Sequence, residues 1–164
     1  FLERIGAAIP IAAAQMGIVF AVLKLLGGVA AFSVAAVGDR AGQRAPYVVV
    51  LVGVAAGLAL LAGAKGFLSF ALGAWIWEFA FTCGCVFQAA LIARHDVSGR
   101  AVVLIPAVFA LGSMVGPGIA GNLVTGGSFA SLLLLALACT VVPVLAHSVG
   151  RRSAYTGPIA RSVP

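Results

Sequence analysis

The sequence predicts an all-α protein, a polytopic transmembrane helix bundle of five spans. Composition is the first observation: 63% of the 164 residues are hydrophobic and 9% are charged. A soluble domain is nearer half apolar and a quarter charged, and it has no place to hide such a surplus without lipid. Run length is the second. The apolar residues form unbroken stretches of roughly 18 to 27 residues, where about 20 suffice to cross the hydrocarbon core as a helix. The third is that these stretches do not alternate, which excludes the strands of a transmembrane β-barrel. A water-soluble globular domain, a disordered chain and a disulfide scaffold are excluded together.

The elements follow in order. Residues 1–13 hold Glu3, Arg4, Gly6 and Pro10 and read as an external interfacial loop. The chain begins at Phe1 and shows no basic segment ahead of a short apolar one, so no signal peptide is visible. The expectation is a piece of a longer chain whose preceding span lies before Phe1. Five spans then run over 14–37, 46–64, 67–93, 101–124 and 129–148. They are separated by Gly38 to Pro46, Ala64 to Phe67, Arg94 to Arg100 and Thr125 to Ser128, and residues 149–164 form a polar tail.

Ten Lys and Arg against four Asp and Glu give a net charge of +6. The basic residues are not clustered with aromatics, so no nucleic-acid partner is expected. They mark topology instead, because Lys and Arg favour cytoplasmic loops. Arg40 and Arg44 lie in the first connection, Arg94 and Arg100 in the third, and Arg151, Arg152 and Arg161 in the tail. The other side has only Arg4 and Lys65. The tail is therefore expected in the cytoplasm and the N-terminal end outside.

One cation remains, Lys24 inside the first span, and Glu78 sits inside the third. A charge at the centre of a span costs roughly 2.5 to 3.5 kcal/mol on insertion scales, so neither is expected to face lipid alone. Counted from the same membrane face, both are about 15 Å deep. Lys24 shares a stripe with small residues, Gly17, Ala21, Gly27, Gly28 and Ala31, and with Phe20, whereas Ile18, Val22, Leu25, Val29 and Phe32 form a bulky stripe. Glu78 shares a face with Trp75, Thr82, Cys85 and, less closely, Gln88. Lys24 and Glu78 are expected to line a central cavity as an ion pair or proton-responsive site, with Trp75, Thr82 and Gln88 as candidate substrate contacts. The competing readings are a structural pair that fixes packing, and a Lys24 that snorkels to the interface.

The fourth span carries GSMVGPGIAG, with Gly112, Gly116, Pro117 and Gly121. Small residues allow close helix approach and Pro117 removes a backbone donor, so this stretch is a tight packing face or a hinge. Gly53 and Gly57 form a second small pair, expected to pack within the chain. Cys83 and Cys85 lie on different faces of one helix and cannot form an ordinary disulfide; they and Cys139 read as small apolar fillers. His95 and His147 lack the partners of a zinc site, and no cofactor or metal is expected. Catalytic fingerprints are absent, so an enzyme is not expected: Ser113 has no evident base, and there is no GxSxG, HExxH, Walker or dinucleotide motif.

The first connection reads AAVGDRAGQRAP and resembles the signature loop of the major facilitator superfamily of secondary transporters, G-x-x-x-D-R-x-G-R-R. Asp39, Arg40, Gly42 and Arg44 match, while Ala35 and Gln43 replace the leading Gly and the first paired basic residue. The resemblance implies a gating role for Asp39, Arg40, Gly42 and Arg44. It extends over nearly the whole chain. FLERIGAAIPIAAAQMG is similar to the external approach to the family's eighth helix, and HDVSGR with GSMVGPGIAG to its tenth-to-eleventh connection and eleventh helix. This placement implies the C-terminal half of such a transporter, from the end of the seventh helix through the twelfth. Placement on the second to sixth helices is the rival. It is opposed by the lack of an Arg in the third span and by the tail-like character of residues 151–164.

On the favoured placement Lys24 falls on the eighth helix and Glu78 on the tenth, both lining the central cavity of that fold. The resemblance implies a secondary active transporter that moves a small solute by alternating access, with protons as the candidate coupling ion. Its partners are then a small-molecule substrate, the lipid bilayer and the N-terminal half of the same chain, in a bacterial inner membrane. A non-transporting membrane scaffold or sensor of the same fold is the alternative.

Overall fold

A computed structural model describes residues 2–41, 45–123 and 129–155, with the side chains of 39, 41, 45 and 143–155 outside the description. Every regular element among them is helical: α1 (Leu2–Ala7), α2 (Ala13–Val37) with a 3₁₀ turn at Gly38–Ala41, α3 (Ala45–Ala62), α4 (Phe67–His95), α5 (Arg100–Leu123) and α6 (Ala130–Tyr155). Three of these, α2, α4 and α5, are long and apolar enough to cross a membrane, which marks a membrane protein. The second and fifth expected spans coincide with shorter apolar stretches, Pro46–Ala62 and Ala130–Val142.

Two boundaries differ from the sequence reading. The segment expected as a loop over 1–13 contains α1, whose Leu2, Ile5 and Gly6 are buried. Leu2 and Ile5 stand three apart and so present one apolar side, and the turn is over before Pro10. At the other end α6 runs on to Tyr155, past the expected start of the tail at residue 149. Polar composition does not stop a helix whose backbone hydrogen bonds are already propagating.

Local chemistry sets the helix starts. Gln15 Oε1 accepts the Ala12 N–H at 3.1 Å ahead of α2. Ser69 Oγ accepts the Lys65 N–H at 3.3 Å and donates to the Gly66 carbonyl at 3.1 Å ahead of α4. These side chains satisfy backbone groups that a helix end otherwise leaves unpaired.

α4 is the centre of the packing, with α3 on one flank and α2 on the other. Against α3 the pairs run in opposite senses: Tyr47 meets Phe87 edge to face at 5.3 Å, Val50 lies over Gly84, Gly53 over Ala80, Gly57 over Trp77, and Leu61 over Gly73. α3 and α4 are therefore antiparallel. Against α2 the contacts climb together, Val19 with Trp75, Lys24 with Glu78 and Ala30 with Cys83. Those two helices are parallel, as the sequence reading required for Lys24 and Glu78 to share a depth. The core joins Val19, Leu23 and Ala30 of α2, Val50, Val54, Leu58 and Leu61 of α3, and Phe70, Ala71, Ala74, Ala80 and Cys83 of α4. No residue of α5 is buried.

Candidate functional site

α2 is apolar almost all round, so its sequence does not say which side packs. The structure buries Val19, Leu23 and Ala30, a third stripe between the two read from the sequence. The bulky stripe is open, with Ile18, Leu25, Val29 and Phe32 at 53 to 80% exposure. The small stripe is partly open as well: Gly17, Ala21, Lys24 and Gly28 are exposed, and Gly27 is half-buried. Lys24 thus stands at the edge of the α2–α4 contact.

Across that edge Lys24 Nζ lies 4.0 Å from Glu78 Oε1, the Lys24 side chain being 81% exposed and the Glu78 side chain 14%. Two unit charges at this distance attract by about 4 kcal/mol at an effective dielectric constant of 20. That is on the order of one charge's insertion cost of roughly 3 kcal/mol, so the pair lowers the penalty without cancelling it. The separation exceeds hydrogen-bond length, and the contact is coulombic.

Gly27 of α2 faces the acid across the helix contact, with room for an ordinary van der Waals neighbour. A methyl group built on it would lie 3.5 Å from Glu78 Oε1 and 3.7 Å from Thr82 Oγ1. Thr82, four residues after Glu78, therefore shares the acid's side of the site. One turn the other way, the Trp75 indole N–H donates to the Val19 carbonyl at 3.1 Å and ties α4 to α2. Its polar atom is used in joining helices. Deeper along the pair the Cys83 thiol donates to the Ala30 carbonyl at 3.8 Å.

Gln88 is not brought to this site. It lies ten residues beyond Glu78, about 15 Å along α4. It lines a separate cavity of about 90 Å³ between α3, α4 and α6, with Tyr47, Cys85, Cys139 and Thr140. The gating residues are divided. Arg40 is exposed in the 3₁₀ turn after α2, the side chain of Asp39 is outside the description, and Gly42 and Arg44 lie outside the described residues.

Among the described residues the glycines of the α5 stretch have no close neighbour. No atom comes within 4 Å of a methyl built on Gly112, Gly116, Gly118 or Gly121. Gly116, Pro117 and Gly121 line a cavity of about 380 Å³ with Glu3, Arg4 and Leu132. α1 supplies the two charged members, which the sequence reading had assigned to a loop.

A further polar cluster escaped the sequence reading. Asp96, between α4 and α5, accepts the Val102 N–H at 2.9 Å and the Ser98 hydroxyl at 2.8 Å. It does the work of an N-cap for α5 in place of Gly99, whose φ of +70° suits a residue without a side chain. The Val102 amide is the main cause holding the Asp96 carboxyl below the usual aspartate range, with the Ser98 hydroxyl adding to it. The signal was legible as an Asp with a Ser-Gly pair just before an apolar run.

No family model, characterised protein or solved structure matches the chain.

Proposed function

We propose that the chain is the second half of a major facilitator-type secondary transporter. It moves a small solute by alternating access, with Lys24 and Glu78 as its central solute- and proton-handling site. The observation that carries this reading is the 4.0 Å approach of the two intramembrane charges on neighbouring parallel helices. Ionisable residues at membrane depth are expensive and are found where solutes, ions or protons pass. The Asp-Arg sequence after α2 supports the family, and Arg40 is exposed there. On this reading α3 and α6 are the remaining spans, the chain sits in a bacterial inner membrane with its C-terminus in the cytoplasm, and rocking against the first half opens the site to either side.

The test is uptake by proteoliposomes of the full-length protein, offered a mixture of acetate, lactate, benzoate, benzamide, glucose, benzylamine and choline under an imposed proton gradient. At least one solute accumulates with the wild type. Its uptake falls tenfold or more in Lys24→Ala and in Glu78→Gln at matched protein amounts, and collapses with a protonophore. Uptake indifferent to the gradient removes the proton coupling. No uptake of any solute removes the transport reading and favours a scaffold.

A further inference from the structure

The two partners of the ion pair are not presented equally. The Lys24 side chain is 81% exposed and that of Glu78 is 14%. A ligand approaching α2 from its open side meets the ammonium first. Around Lys24 the helix surface is cleared: Gly17 and Gly28 have nothing within 4 Å of where a methyl would be, and Ala21 is exposed and small. Glu78 is on the α4 side, its side chain recessed, with Gly27 and Thr82 beside it.

The ammonium also has bonding capacity left. It carries three N–H donors, and at 4.0 Å the carboxylate takes none of them as a hydrogen bond of ordinary length. A cationic ligand would be repelled by Lys24 before reaching the recessed acid. A neutral ligand would gain the donors alone. An anion gains both the donors and the charge. The size of that charge is limited by the site: lysine is a point charge without the planar fork that arginine offers phosphate, and the Glu78 carboxylate 4.0 Å away repels a second negative charge. The surroundings are otherwise apolar, with Phe20 half-buried one turn away.

We infer that the transported solute is a small monocarboxylate, its carboxylate held by Lys24 in competition with Glu78 and its apolar body lying along the cleared face of α2. This inference rests on the transport reading and names its substrate class.

The experiment is the same uptake mixture, sorted by charge. The expected result is accumulation of acetate, lactate or benzoate, with benzamide and benzylamine excluded although their ring matches that of benzoate. Lys24→Arg keeps carboxylate uptake within a few-fold and Lys24→Gln loses tenfold or more. The arginine variant separates loss of charge from loss of folding. Uptake of benzamide, glucose, benzylamine or choline in place of the carboxylates overturns the substrate class while transport itself stands. Carboxylate uptake unchanged in Lys24→Gln overturns it equally. If no solute enters, the transport reading falls and the substrate class with it.

Discussion

Lys24 and Glu78 were legible because each violates the composition of its own helix, and helical rise alone put them at one depth. What the residues could not say was how they would be presented. The exposure of one and the shielding of the other depend on which side of α2 packs. Trp75 shows the same limit: its place beside Glu78 on α4 was readable, but its hydrogen bond to the Val19 carbonyl exists only once two helices meet. Asp96 carries a prediction at this scale. Its native pKa is depressed, so its contribution is present in full above the ordinary aspartate pKa of about 3.9 and is lost as pH falls through the lower native value. Hydrogen exchange at the Val102 amide, corrected for intrinsic rates, is therefore expected to be protected at neutral pH and to lose protection below about pH 4. In Asp96→Asn the protection is expected to be several-fold weaker at neutral pH and flat across that range. A wild-type profile without this acid limb contradicts the capping role.

The elements were mostly visible as runs, and their pairing was not. Gly53 and Gly57 were expected to pack inside the chain, and the structure sets them on Ala80 and Trp77 of α4. A methyl on Gly57 would sit 2.7 Å from the Trp77 amide nitrogen and 2.8 Å from its Cα, so the obstacle is backbone that cannot rotate away. Overpacking of this kind costs about 1–3 kcal/mol. The helix propensity gained on replacing Gly by Ala is up to about 1 kcal/mol and works against it. The clash is expected to win. Gly57→Ala should melt several degrees below wild type in detergent, and Gly17→Ala, with open space around it, should not. Equal melting temperatures would argue against the α3–α4 seam. α2 was read with two stripes and buries a third, because a helix apolar on every side carries no period to mark its inner face.

For the whole molecule, a bundle with parallel α2 and α4 and antiparallel α3 between them in sequence puts the turn at 63–66 and the loop after His95 at opposite ends. The basic residues suggest the sign: Arg94 and Arg100 flank one end, and Lys65 lies at the other with Arg4. In intact cells Lys65→Cys is expected to react with a membrane-impermeant maleimide and Ser98→Cys only after permeabilisation; the reverse pattern would invert the topology. The sequence by itself determined that the protein is helical and lives in lipid, roughly where its long helices begin and end, and that two charges share a level. Those follow from how much apolar surface a run must hide and from a fixed rise per residue, both local quantities. The tertiary structure decided which face of α2 is buried, that α1 is a helix packed into the bundle, and that α5 stands with no buried residue and its glycines open. It also decided that the lysine is offered and the glutamate withheld. Those depend on close approach between helices distant in sequence, and in helices apolar on every side the sequence offers no contrast from which that approach can be read.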